Sequence, residues 1–119
     1  MTLRFGFGAG VFALATLSGG AAFAHHGWSS YEPEKTVKYS GKVIESSWTM
    51  PHGSAVLNVD GKSWTVVLAP TARMETRGLA KDEIAVGKTI TVEGYPKRDG
   101  TPEMRAERIS IGAKTVELR

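Results

Sequence analysis

The chain has 119 residues, a formal net charge of +3 and no cysteine, which is enough for one small domain. The lack of cysteine excludes disulfides and thiolate chemistry, so an apolar core must supply the stability. The nearly balanced charge gives no support for nucleic acid or an anionic membrane surface as a partner.

Residues 1–24 are predicted to be a secretory signal peptide. Arg4 precedes 20 uncharged residues that end in Ala22-Phe23-Ala24, a small-x-small sequence typical of signal peptidase sites. A retained membrane anchor is the alternative, because 20 apolar residues can span a bilayer, but the many glycines make this segment weakly apolar. We therefore expect a periplasmic protein of 95 residues with no stable membrane insertion after cleavage.

The mature chain is predicted to begin with an N-terminal arm at residues 25–35, followed by one domain at residues 36–119. The arm contains glycine, serine and proline and shows no hydrophobic period. Trp28 and Tyr31 are its large aromatic residues, and we expect them to pin the arm to the domain by apolar contacts.

Residues 36–48 alternate between apolar and polar residues, as a half-buried strand does. Val37, Tyr39 and Val43 share one face, but Ile44 and Trp48, which follow Gly41, fall on the opposite parity. A glycine combined with a change of face predicts a β-bulge or a sharp coil of the strand at Gly41.

A hairpin and a short helix are predicted next. Asp60-Gly61 is a favoured two-residue turn between two alternating runs. Pro70 suits the first position of a helix and Gly78 the position after its end, which predicts a short helix between them. The residues expected to point inward from the hairpin are Ala55, Leu57, Val59, Trp64, Val66 and Leu68.

The remaining chain returns to strand patterns. Ile90 and Val92 are expected to point inward, Asp99-Gly100 marks a second hairpin, and Gly112 joins the last two strands. Five or six short strands with one short helix between the third and fourth indicate an all-β fold. We predict a small closed or partly open barrel of OB-fold type, with an SH3-like barrel or an open sandwich as the alternative.

The three histidines are the strongest chemical signal. If the chain is cut after Ala24, the free α-amine and the imidazole of His25 can chelate one metal ion. A second imidazole from His52, in the connection between the first two strands, would complete a histidine brace that suits Cu(II). His26 and Met50 are candidate further ligands, Met50 because its thioether suits Cu(I). An inert arm and a loop histidine are the alternative interpretation.

Other chemistry has less support. There is no G-x-S-x-G motif, and no nucleophile, base and orienting group can be assembled, so we predict no catalytic residues. The charged stretch at residues 95–108 alternates in sign, which predicts a solvated hairpin with cross-strand ion pairs. Its charged residues are Lys97, Arg98, Asp99, Glu103, Arg105, Glu107 and Arg108.

Several stretches together resemble a family of small exported proteobacterial proteins of unknown function. They are HHGWSSY after the signal peptide, a W-T-x-P-H loop, and VEGYPKRDGTPEMRAERI near the end. In that family the loop is mostly Asn-Pro-His, whereas this chain has Met50-Pro51-His52. The resemblance covers essentially the whole mature chain and implies a small exported β-domain, without implying any activity.

The leading hypothesis is therefore a non-enzymatic periplasmic binding protein with copper held by His25 and His52. The second hypothesis is a metal-free OB-type module that docks another periplasmic protein. A copper redox enzyme is a third, for which the sequence offers no substrate surface.

Overall fold

The computed structural model describes residues 27–119. The predicted signal peptide, His25 and His26 lie outside these residues. The chain divides into two units. The described part of the first is Gly27–Ser30, with a 3-10 helix at Trp28–Ser30, and the second runs from Tyr31 to Arg119. Within residues 27–119 no helix combines the length and the apolar character that crossing a membrane requires.

The second unit is a β-barrel with one short α-helix. Antiparallel pairings give the order β3-β2-β1-β4-β5-β6, and a parallel pairing of β3 with β5 closes the first five strands into a barrel. This confirms the predicted all-β barrel of OB type with a short helix between the third and fourth strands. The elements are β1 (Val37–Ser47), β2 (Ser54–Val59), β3 (Lys62–Val67), α1 (Thr71–Thr76), a 3-10 helix (Lys81–Ile84), β4 (Thr89–Pro96), β5 (Glu103–Ile111) and β6 (Lys114–Glu117).

The core is filled by alternate residues of the five barrel strands, by residues of the connection between β3 and β4, and by Val116 and Leu118 at the end of the chain. The burial confirms the predicted inward positions of β2, β3 and β4, although Val59 and Trp64 are only half-buried because they lie near the β2–β3 turn. No polar or charged residue in the described part of the chain is buried. The side chains that are fully excluded from solvent include Val43, Leu57, Val66, Met74, Ile84, Val92 and Met104.

The bulge in β1 is not at Gly41, so that prediction was wrong. The pairing of β1 with β4 continues without a shift through Gly41, and the irregularity against β2 lies between Val43 and Glu45. Ile44 is therefore the extra residue, and it is 41% exposed. Gly41 is needed for another reason: a Cβ at this position would overlap the backbone carbonyl of Asn58.

The predicted turn and helix signals act as expected, with one shift. Asp60 and Gly61 both have positive φ, at 52° and 85°, as a type I′ hairpin turn requires. Gly78 follows α1 with φ 94° and donates its N–H to Glu75, while Leu79 donates to Met74. This is a Schellman ending, with Met74 and Leu79 both in the core. Pro70 is the N-cap of α1, so the helix begins at Thr71 and not at Pro70 as predicted.

The 3-10 helix at Lys81–Ile84 has no counterpart among the predicted elements. Ile84 anchors it in the core, and the Glu83 carboxylate accepts a hydrogen bond from the Ala80 N–H. Lys114 of β6 contacts the same carboxylate at 2.6 Å and also donates to the Gly78 carbonyl. The hydrogen bonds that Glu83 accepts from Lys114 and from the Ala80 N–H lower the pKa of its carboxyl, and the one from Lys114 has the larger effect.

Two arginines of the helical segment hold the last strand. Arg73 of α1 donates to the carbonyl of Leu118 at 3.0 Å, and Arg77 donates to the carbonyl of Glu117 at 2.8 Å. These bonds occupy backbone carbonyls at the end of β6, the strand that lies outside the closed barrel.

Tyr31 fastens the beginning of the second unit to the hairpin between β4 and β5. Its ring is 6% exposed, its backbone bridges to Lys97, and its hydroxyl donates a 2.6 Å hydrogen bond to Glu103. Glu103 is also 3.6 Å from the Lys97 ammonium. Burial and the bond to Glu103 raise the pKa of the Tyr31 phenol far above its ordinary range. The prediction that Tyr31 is an anchor is confirmed, although the anchor is polar as well as apolar.

Replacing Gly94 of β4 by alanine should destabilise the barrel strongly. An added Cβ would overlap the backbone carbonyl of Arg105, and backbone on both sides of the contact must shift. We expect a loss of about 3 kcal/mol or more in the free energy of unfolding, measured by urea denaturation. Gly27→Ala is the matched control, because nothing lies within 4 Å of its added Cβ. Equal midpoints for the two variants would contradict this account of Gly94.

Tyr31→Phe should lower stability by about 1–2 kcal/mol at neutral pH, since it removes one hydrogen bond to a partly exposed carboxylate. The folded state raises the pKa of this phenol, so its contribution is complete below about pH 10 and is lost as the pH rises further. Comparison of absorbance titrations of the folded wild-type protein and the Tyr31→Phe variant isolates the Tyr31 phenol, which should ionise well above pH 10. Ionisation near pH 10 would show that the Tyr31 hydroxyl is solvated.

Candidate functional site

The candidate ligand His52 lies in the loop between β1 and β2. The loop returns to the barrel at Gly53, whose N–H donates to the carbonyl of Ala69 at 2.9 Å and whose carbonyl accepts from Leu68 at 2.9 Å. A side chain at Gly53 would press on the buried Met74. His52 therefore projects from a backbone position that the core fixes.

The imidazole of His52 is half-buried, and its Nδ1 lies 3.4 Å from the carbonyl oxygen of Gly53. When Nδ1 carries the proton, it can donate weakly to this carbonyl. That tautomer leaves the lone pair of Nε2 available to a metal ion, an arrangement that is common for metal-binding histidines.

Met50 occupies the same loop and is 75% exposed. Its sulfur accepts a weak hydrogen bond from the hydroxyl of Thr71, the first residue of α1, at 3.8 Å. The loop thus carries an imidazole and a thioether, the two predicted metal ligands that lie in the described part of the chain.

The described residues do not contain a complete metal site. Among residues 27–119 there is no group of three or more histidine, cysteine, aspartate or glutamate side chains that could hold an ion. His52 is the predicted imidazole ligand that the structure describes, and His25 and His26 lie outside this part of the chain. The structure therefore neither brings the predicted brace together nor separates its members.

The charged hairpin consists largely of surface ion pairs, as predicted. Arg108 contacts the carboxylates of Glu93, Glu107 and Glu117, and Arg98 is 3.9 Å from Glu32. The hydrogen bond with Glu117 is the main cause that raises the pKa of Arg108 and lowers that of Glu117. Arg105 differs, because desolvation by burial lowers the pKa of its guanidinium.

A groove that the sequence did not indicate lies between β1 and the 3-10 helix. Its volume is about 640 Å³, and we call it the β1 groove. It was missed because its two walls are 34 or more positions apart in sequence and no periodicity marks the 3-10 helix. The lining residues are Ser46, Ala80, Lys81, Asp82 and Ala85.

Comparison with known proteins supports the fold and identifies the family. No curated protein matches the chain. Among 66 matching solved chains is the crystal structure of the ZRD-deleted mutant of TiaS in complex with agmatine, with a TM-score of 0.51 and 17% identity. The match covers 74% of this chain and 25% of that one, so this chain corresponds to a quarter of the TiaS chain, and the likeness concerns the fold alone.

The family comparison covers most of the barrel. A model described as a family of unknown function matches residues 13–105, which include the His52 loop, the Tyr31 anchor and the β1 groove. The chain therefore belongs to the DUF6152 family of proteins of unknown function.

Proposed function

We propose that this protein is an exported, non-enzymatic binding protein that holds a copper ion with His52 and the free N-terminal residue His25. The observation that carries the proposal is the position of His52. Its Nδ1 lies beside the Gly53 carbonyl, and its backbone is held by hydrogen bonds of Gly53 to Leu68 and Ala69. When Nδ1 carries the proton, the lone pair of Nε2 can bind a metal ion.

The other two nitrogen donors would come from His25 after signal peptidase has cut the chain behind Ala24. The cut turns an amide nitrogen into an amine that binds metal once it has lost its proton. The amine and the imidazole of one residue then form a chelate, and His52 supplies the third nitrogen of a T-shaped site that suits Cu(II). His26 is a candidate alternative donor, and the Met50 sulfur is a candidate ligand for Cu(I).

The Tyr31 anchor supports this proposal through chain length. Six residue steps separate His25 from Tyr31, and six steps of fully extended chain span about 20 Å. An arm of this length has a limited volume to search, which lowers the entropic cost of bringing His25 to a second ligand.

Copper titration of the processed protein tests the requirement for a free terminus. We expect one Cu(II) ion per chain when His25 is the first residue. One extra alanine before His25 should weaken binding by roughly 100-fold or more, because the amine donor becomes an amide. Calorimetry measures both affinities, and equal values would exclude the brace.

The role of His52 is tested separately. His52→Ala should change the Cu(II) EPR spectrum and weaken binding by roughly 10–100-fold, because one of three nitrogen ligands is lost. Met50→Leu is a control for Cu(II), since a thioether is a poor ligand for this ion. An EPR spectrum that is unchanged by His52→Ala would remove His52 from the site.

A metal-free interaction module is the second candidate function. The observation that favours it is the β1 groove, whose largely apolar lining is typical of binding surfaces. Co-purification from the periplasm separates the two candidates. If the protein is a docking module, a partner should co-purify with the His52→Ala variant but not with Ala85→Asp. If it is a copper protein, copper should be lost from His52→Ala and retained by Ala85→Asp.

A further inference from the structure

The methionines of residues 27–119 differ sharply in their exposure to solvent. Met50, in the loop that carries His52, is 75% exposed, whereas Met74 and Met104 are both 0% exposed in the core. An oxidant attacks a thioether only when it can reach the sulfur. The fold therefore opens one sulfur of this part of the chain to oxidants in the solvent and shields the other two.

The Met50 sulfur also has a hydroxyl beside it. The hydroxyl of Thr71 donates a weak hydrogen bond to this sulfur, with 3.8 Å between the oxygen and the sulfur. Thr71 is the first residue of α1, and Ala69, two residues earlier, accepts a 2.9 Å hydrogen bond from the N–H of Gly53 at the end of the loop. This backbone bond ties the beginning of the helix to the loop, so the fold keeps the Thr71 hydroxyl close to Met50.

The separation of these two atoms is the one that an oxidised sulfur needs. In a sulfoxide the S–O bond is about 1.5 Å long, and its oxygen accepts a hydrogen bond from a hydroxyl at about 2.7 Å. When these two lines meet at about 125°, the sulfur and the hydroxyl oxygen lie about 3.8 Å apart, as they do for Met50 and Thr71. A sulfoxide oxygen can therefore enter between them while the sulfur stays in place, and it accepts a stronger hydrogen bond than the thioether does.

We propose that Met50 is a site of oxidation by peroxides and that Thr71 holds the resulting sulfoxide. A lone pair of the sulfur attacks one oxygen of hydrogen peroxide, the S–O bond forms and the O–O bond breaks. The proton of the transferred oxygen passes to the departing hydroxide, which leaves as water, so the sulfur is oxidised by two electrons and the peroxide is reduced by two. The reaction turns the soft thioether of the loop into a polar hydrogen-bond acceptor. It needs no metal and does not depend on the proposed function.

Peptide mapping by mass spectrometry, after exposure of the protein to hydrogen peroxide in EDTA, tests the selectivity. In the folded protein Met50 should be oxidised at least about 10-fold faster than Met74 and Met104, because the core excludes the oxidant from the two buried sulfurs. In urea the three rates should become equal within about twofold. A ratio below 10-fold in the folded protein, or a preference for Met50 that persists in urea, would overturn the proposal. EDTA removes copper, so metal-catalysed oxidation cannot produce the preference.

Urea denaturation before and after oxidation tests the role of Thr71. Oxidation should raise the midpoint of the wild-type protein by about 0.3–0.5 M, because the stronger hydrogen bond to the sulfoxide exists only in the folded state. Thr71→Ser keeps the hydroxyl and should show the same rise, whereas Thr71→Val should show none. Met50→Leu, treated with peroxide in the same way, is the control for oxidation elsewhere and should not change.

Each variant is compared with its own reduced form, so an effect of the substitution on folding cancels. The absence of a rise in the wild-type protein, or an equal rise in Thr71→Val, would show that Thr71 does not hold the sulfoxide.

Discussion

The parallel pairing of β3 with β5 is the contact on which the rest of the structure depends. It joins Thr65–Val67 to Glu103–Arg105, two segments separated by the whole helical connection, and turns an antiparallel sheet into a closed barrel. Closure gives the inward residues of all five strands one shared core. It also fixes Glu103 beside Tyr31 at the start of β5, so the same contact that closes the barrel positions the anchor of the arm.

The candidate binding sites lie on segments that interrupt the regular strands of the barrel. The His52 loop lies between β1 and β2, and the β1 groove lies where β1 leaves β4. Both are held by backbone hydrogen bonds to buried parts of the fold, at Gly53 and at Val43. Such positions combine fixed geometry with exposure to solvent, which is what binding residues on a small rigid scaffold need.

Most of the fold could be predicted from local sequence, because alternation and turn residues act over a few positions. The Asp60-Gly61 turn, the glycine after α1 and the inward residues of β4 are of this kind. The bulge at Ile44 could not be placed, because Gly41 gives the same local signal but serves a close approach to Asn58, which is distant in sequence. The Tyr31–Glu103 bond and the β1 groove likewise depend on the tertiary fold, and the sequence contains no local mark of either. The candidate copper ligands were selected by their positions in the sequence, His25 behind the predicted cleavage site and His52 in a loop between strands, and the structure adds the surroundings of His52 and Met50.

The two arginines that hold β6 have a consequence for the behaviour of the protein at high concentration. A strand outside a closed barrel exposes one row of backbone groups to which foreign strands can add. Arg77 binds the carbonyls of Glu117 and Arg119, which point away from β5, whereas Arg73 binds the carbonyl of Leu118 on the β5 side. Together they place positive charge at the end of that row. A chain that approaches β6 must first displace guanidinium groups from the carbonyls. The helical segment thus protects the protein from edge-to-edge aggregation, and the residues that do so lie some 40 positions away from the strand they guard.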